Sequence, residues 1–428
     1  MKKVPPFTPH LHALLLCFSL LGLGCGDSGS EGPPVGESHY RGFQADVLRF
    51  GAADNPESLR LLPGGTSALV VASKSRKLVL VHRENDTLRA GRSVILFSED
   101  ASESELTNLD VDGQGRWAAL TRTIVTQDEE GRTTGCAGEL VLVSIEDTAS
   151  FGSVLKRIEV GPMPDAVEIT DDGRWVIVAN EQDVVWGKCE SVEDIAPPSV
   201  SVVDLSGGAG AAHERHRLEL PAGQEPESVT SSSDGDRVLV TLQDSHQIAS
   251  FRISELDAVA SPRVVRVPKN ATGAEAWPDG ITRFVAKDER EFFAVAGEAN
   301  DTISLLTAEG QFLKTVAITD ADVPASLPRL GADSWGPQFQ PDSLAAFRHS
   351  GEAYLAVSLK AAGAVAVLRV SVPEEAKLVS VVQLGLSSGP AAEQVGSEGI
   401  TAGEDGAIWI ANEEEGSVAL VLPTPSTR

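Results

Sequence analysis

The sequence predicts an all-β chain folded as a seven-bladed β-propeller with four-stranded antiparallel blades. Three observations carry that expectation. A strand–turn–strand unit recurs along the chain, its copies are spaced as propeller blades are, and an orphan strand precedes the first copy. The clearest unit is residues 164–181, PDAVEITDDGRWVIVANE. Val167 and Ile169 alternate with polar neighbours, as in a strand with one buried face. Asp172-Gly173 marks a tight turn, because glycine accepts positive φ without a Cβ clash. Trp175–Ala179 is almost wholly apolar, as in a strand covered on both sides. A lone hairpin of this kind is marginal in water, so it needs partners.

Copies of the first strand begin near Pro56-Glu57, Glu105, Pro164-Asp165, Pro226-Glu227, Pro278-Asp279, Pro341-Asp342 and Ser397-Glu398. Their spacing of about 50 to 63 residues is that of propeller blades carrying insertions. Second strands are expected at Ala68–Ala72, Trp117–Leu120, Trp175–Ala179, Val238–Thr241, Phe292–Ala296, Ala353–Val357 and Ile408–Ala411. Third strands follow each of them. Fourth strands are readable in every copy but the last, whereas Ala45–Phe50 stands unassigned before the first copy. Pairing that segment into the last copy closes the ring and leaves no terminal edge exposed.

The ends are read separately. Residues 1–24 combine Lys2 and Lys3 with an apolar segment too short to span a bilayer, so they are expected to be a signal peptide. Leu21-Gly22-Leu23-Gly24-Cys25 resembles a bacterial lipobox, with Gly22 where leucine is usual. Cys25 is therefore the expected lipidation site, residues 25–40 a flexible tether rich in glycine and serine, and 41–428 the propeller. The chain holds 62 acidic against 35 basic residues, a balance that argues against nucleic acid and against charge-driven docking on anionic lipid. The expected address is outside the cytoplasm, on a lipid anchor in a bacterial membrane, the outer one being favoured, with the protein as a monomer. In an oxidising compartment Cys136 and Cys189 read as a disulfide, the alternative being two free thiols in separate loops.

The elements quoted above, with PESVTSSSDGDRVLVTLQDSHQIASFRI, WPDGI, PDSLAAF and SEGITAGEDGAIWIANEEEGSVALV, resemble the YVTN-type propeller repeat. More closely they resemble the propeller of exported proteins called choice-of-anchor I. The resemblance implies a propeller fold and an exported location, and brings no established reaction with it. Gly-His and Trp-Asp dipeptides of WD-type blades are absent.

In a propeller, the start of the innermost strand and the end of the second strand share one face of the disc. An acid is expected at that start in every copy: Glu57, Glu105, Asp165, Glu227, Asp279, Asp342 and Glu398. Three second strands end in Asn180-Glu181, Gly297-Glu298 and Asn412-Glu413. Hard oxygen ligands converging on an axis suit Ca²⁺ or Mg²⁺. The reading favoured on the sequence is that each carboxylate caps backbone N–H groups of its own or the next blade, because an acid in every copy suits a structural role and a single site needs only a few blades. Insertions at Thr121–Gly138, Glu181–Pro198, Lys269–Trp277, Ile318–Phe339 and Gly385–Gly396 belong to the same face, where binding on a rigid scaffold usually resides. Trp186, Trp277 and Trp335 sit in or beside them, placed either to stack on a ligand or to pin their own loops. Trp117, Trp175 and Trp409 hold equivalent positions and read as packing between blades.

Catalytic signals are sparse. His213-Glu214-Arg215-His216 spaces its histidines three apart, not as HExxH, and is expected in a loop between strands; no phosphate loop, CxxC pair or G-x-S-x-G elbow occurs. The leading expectation is a binding or scaffold protein that holds a protein or glycan on its insertion-bearing face, with Ca²⁺ as its candidate ion. The alternative is a metal-dependent hydrolase, lactonase- or phosphoesterase-like, at the channel mouth. The anchor makes the first testable prediction: Cys25→Ser should move the protein from the membrane to the soluble fraction, and an unchanged fractionation would refute it.

Overall fold

The computed structural model describes residues 40–51, 54–98, 103–146, 149–182, 189, 192, 195–258, 261–323, 339–384 and 396–424. Cys25, Trp186 and Trp335 lie outside these residues. Among the described residues helical structure is confined to short 3-10 turns, and the strands form seven four-stranded antiparallel sheets.

The chain enters through β1 (Gly42–Arg49) and then lays down blade one as β2 (Pro56–Leu61), β3 (Ser67–Ala72), β4 (Lys77–Glu84) and β5 (Thr87–Ile95). Blade two is β6 (Glu103–Val111), β7 (Trp117–Gln127), β8 (Thr133–Ser144) and β9 (Val154–Val160). Blade three is β10 (Pro164–Ile169), β11 (Trp175–Asn180), β12 (Ser199–Asp204) and β13 (His213–Glu219). Blade four is β14 (Pro226–Ser231), β15 (Arg237–Leu242), β16 (Gln247–Arg252) and β17 (Arg263–Arg266). Blade five is β18 (Pro278–Val285), β19 (Glu291–Gly297), β20 (Thr302–Thr307) and β21 (Phe312–Ala317). Blade six is β22 (Pro341–His349), β23 (Glu352–Leu359), β24 (Ala364–Arg369) and β25 (Lys377–Gln383). Blade seven holds β26 (Ser397–Ala402), β27 (Ile408–Asn412) and β28 (Ser417–Pro423), and β1 supplies its outermost strand.

The expected closure is therefore present. β1 runs antiparallel to β28 from Gly42 opposite Pro423 to Arg49 opposite Ser417. Seven apolar clusters fill the seven junctions between neighbouring blades. Each is built from the second and third strands of facing blades, the runs whose side chains are apolar on both faces. Trp409 is fully buried between blades seven and one, and Trp117 lies between blades two and three. Trp175 packs on the junction of blades three and four. All three are inter-blade residues, as their equivalent positions implied.

Two elements differ from expectation. The insertion Thr121–Gly138 is not a loop: β7 and β8 extend past the blade as one hairpin, paired as far as Gln127 opposite Thr133. Alternation in TRTIVTQ and GCAGELVLVS continues the strand pattern, so the ladder has no reason to stop at the blade's edge. His213–His216 likewise lie on strand β13, not in a loop, with His216 Nδ1 3.8 Å from Asp257.

One register feature positions the site. Each of the seven innermost strands breaks register with its neighbour close to its start, as between Pro164 and Ala166 or between Ser397 and Ile400. A bulge leaves residues out of the ladder and re-aims their side chains. In six blades the displaced residues include the acid that follows the entering proline or serine.

If the junctions carry the stability, Trp409→Ala should cost about 3–5 kcal/mol, the usual cost of truncating a fully buried aromatic. Denaturant unfolding measures this, and a loss of under about 1 kcal/mol would contradict the packing role.

Candidate functional site

The axial cavity of about 380 Å³ is lined by Glu57, Asp165, Glu227, Asp279, Asp342 and Glu398, one acid from each of six blades. Blade two departs from the expected ring. Its ladder runs on through Leu106 opposite Arg122 before breaking, so the ring position falls to Thr107. Glu105 is paired with Thr123 in the hairpin and is not among the residues lining the cavity. The Thr107 hydroxyl is 2.6 Å from the Pro164 carbonyl and 2.8 Å from the Thr121 hydroxyl, tying blade two to blade three.

A second tier stands where the second strands end. Ser73, Glu181, Gln243, Glu298, Lys360 and Glu413 each donate a backbone N–H to the residue before their blade's innermost strand. The accepting carbonyls belong to Asn55, Met163, Glu225, Trp277, Gln340 and Gly396. Five of these acceptors have positive φ, from 41° at Asn55 to 58° at Gly396. Non-glycine residues pay strain there, which the paired strand ends hold in place. Glu181, Glu298 and Glu413 thus share one tier, as the sequence suggested. Asn180 and Asn412 do not face the cavity with them. Both are fully buried, and their Nδ2 atoms donate within the blade, Asn180 to Ser199 and Ser201, Asn412 to Ser417.

The two tiers are electrostatically crowded. Burial raises the Asp165 carboxyl to about 7, with Glu398 adding repulsion and Lys360 opposing it. Asp342 reaches about 7 through burial first, held down by Lys360 and pushed up by Glu398 and Glu298. Glu413 is likewise raised to about 7 by burial and Glu398. Burial and neighbouring carboxylates push Glu57, Glu227 and Asp279 well above the usual range. Glu298 is raised for the same first reason. Among the described residues no N–H or O–H group donates to the carboxylates of Asp165, Glu227 or Asp279.

Carboxylates that do cap the next blade lie deeper. Asp110 accepts the Ile169 N–H at 2.7 Å, and Glu168 accepts the Ser231 N–H at 2.7 Å and its hydroxyl at 2.5 Å. Arg60 stands 3.4 Å from Asp110. Asp110 and Glu168 thus cap backbone between blades, as do Asp46 on the Leu88 N–H and Glu291 on the Ser233 N–H, and neither Asp110 nor Glu168 has a distinguishing sequence signal beyond its inward phase on the strand.

Glu181, Glu225 and Glu227 bring three carboxylate oxygens within 4.8 Å of one another. Three carboxylates offer up to six oxygens, a set suited to Ca²⁺. Glu225 went unread in the sequence, although an acid directly before Pro226 was a visible cue. Lys360 also went unread. Its cue was the pair Leu359-Lys360, which occupies in blade six the place of Asn180-Glu181 in blade three. Lys360 Nζ lies 2.6 Å from Glu398 and 3.7 Å from Asp342.

The expected disulfide is present. Cys136 on the blade-two hairpin joins Cys189 in the connection between β11 and β12, with Cα atoms 5.8 Å apart. Trp277 is partly buried and stacks on His246, ring centroids 6.4 Å apart at 20°.

Residues 59–222 match the family model for the choice-of-anchor I domain, in agreement with the resemblance read from the repeats. That stretch runs from blade one to the end of blade three. No curated protein matches the chain. Among solved structures it is similar to a virginiamycin B lyase from Staphylococcus aureus, at 13% identity and a TM-score of 0.53, over 90% of this chain and 99% of that one. It is also similar to Chaetomium thermophilum Raptor, at 13% identity and a TM-score of 0.58, over 89% of this chain and 29% of that one. At such identities the shared property is the propeller fold.

The raised carboxyls predict an unusual pH dependence. Asp165 and Asp342 start from 3.8 and reach about 7 in the fold, so between those values the folded state binds more protons than the unfolded one. Stability from these groups is therefore complete below the lower value and lost as pH rises through the upper one. In chelator, Tm should fall as pH rises from mildly acidic values through about 7. A Tm that rises across that window would contradict the crowding.

Proposed function

We propose that this chain is an exported, membrane-tethered binding module that takes a divalent cation, Ca²⁺ or Mg²⁺, at its acid-lined axial mouth. The ion would serve as the bridge to a protein or glycan held on the same face. One observation carries the reading: the ring carboxylates converge on an open cavity, and Asp165, Glu227 and Asp279 have no donor among the described residues. Groups arranged this way gain most from a cation, because neutralising them removes both desolvation and mutual repulsion. The carboxylates of Glu181, Glu225 and Glu227, within 4.8 Å, are the most compact ligand set. The surrounding face supports a partner-binding role, since a disulfide fixes its hairpin to the neighbouring blade.

A second reading rests on a specific observation as well. Asp165 and Asp342 titrate at about 7, in the range of a general base, beside a cavity able to hold an ion. Metal-dependent hydrolysis of a lactone or phosphoester would use that combination. Turnover of such substrates that vanishes in Asp165→Asn and in chelator would favour it over binding alone.

Metal analysis of the purified protein and calorimetry with CaCl₂ and MgCl₂ test the main proposal. Wild-type protein should bind with a rise in Tm, and the Glu181→Gln, Glu227→Gln double variant should lose at least about tenfold in affinity, as expected when two charged ligands go. Wild-type protein that takes up neither ion would overturn it.

A further inference from the structure

We infer that Lys360 is a tethered counter-ion of the mouth: its ammonium fills one cation position and confines an ion from solution to the opposite side. The inference deepens the cation-binding proposal and rests on it in part.

Internal pseudo-symmetry supplies the argument. In blades five, six and seven the residue closing the second strand stands near the ring acid of its own blade and that of the next. In blade three this residue is Glu181, beside the next blade's ring acid Glu227. In blade five it is Glu298, between Asp279 and Asp342, and in blade seven Glu413, between Glu398 and Glu57. In blade six alone among these it is a lysine, and it contacts both ring acids, Glu398 at 2.6 Å and Asp342 at 3.7 Å. An ammonium is thus already coordinated at the position where blades three, five and seven set a further carboxylate.

Its influence crosses the mouth. Lys360 opposes proton uptake at Asp165, Asp279, Glu298, Asp342 and Glu413, which belong to blades three, five, six and seven. The largest charges acting on Glu227 are the carboxylates of Glu181, Asp165, Asp279 and Glu225. Arg60, the other cation lining the cavity, is engaged with Asp110. The lysine's direct contacts therefore mark one sector at blades six and seven, and the compact carboxylate set of Glu181, Glu225 and Glu227 marks a second at blades three and four. A mobile ion is directed to the second, and the mouth is set to hold one divalent ion rather than two.

The test is calorimetry with CaCl₂ on the full protein and on Lys360→Met, Lys360→Gln and Lys360→Arg. The neutral variants should gain a second Ca²⁺ or bind the first at least about tenfold tighter, since a unit charge has left the vicinity of a divalent ion. Lys360→Arg should keep wild-type stoichiometry. Neutral variants that fold only with Ca²⁺ would support the inference, the ion having replaced the ammonium. Neutral variants that bind as wild type does, or stay unfolded at saturating Ca²⁺, would overturn it. Wild-type protein that takes up no ion sinks the divalent reading alone; the inference then stands if Lys360→Met acquires a site that the parent lacks.

Discussion

Everything about this molecule depends on the pairing of β1 with β28. A blade is apolar on both faces, so it is stable only with a neighbour on each side, and a linear stack would leave two such faces in water. The strand that precedes the first repeat completes the last one, and the seventh junction becomes equivalent to the other six. Trp409 shows what that junction holds: a fully buried indole between blades separated by most of the sequence. The same closure gathers the starts of the innermost strands around one axis. Carboxylates that would be scattered along an open stack are thereby brought together at close range.

Crowding of those groups is a property the fold imposes and tolerates. The register break near the start of each innermost strand turns a residue out of the ladder and toward the axis. In most blades that residue is acidic, so negative charge accumulates where water is scarce and desolvation is costly. The molecule answers in three ways: some acids hold their protons near neutrality, Lys360 lends a charge, and Asp110 and Glu168 bind backbone amides one level deeper. An ion from solution would be a fourth answer, of the same physical kind as the lysine.

The sequence carried the architecture because repetition amplifies weak signals. One hairpin such as residues 164–181 is ambiguous, while seven copies with proline or serine before an acid leave little freedom. Blade two escaped correct alignment at Glu105 because its ladder continues into the projecting hairpin, and the register break shifts the ring position to Thr107. Asn180 and Asn412 were expected beside their glutamates. Strand alternation sends adjacent side chains to opposite sides, and these amides turn into the blade. Glu225 and Lys360 were missed for a different reason. A search for repeated acids passes over the residue that breaks the pattern, yet departures from a repeat are where individual chemistry resides. Asp110 and Glu168 could not have been separated from ordinary strand carboxylates without knowing which blade follows which.

The strand exchange in blade seven also has a topological consequence. Gly42 and Pro423 oppose each other in one ladder, and the Thr424 N–H donates to the Arg41 carbonyl at 2.6 Å. The two ends of the described ring therefore lie one strand spacing apart, although almost the whole chain separates them. A short linker between them would make the backbone a covalent circle, which could be reopened at any connection between blades. Every blade would then be made of four consecutive strands, and ring closure would pass from hydrogen bonds within a blade to side-chain packing between blades.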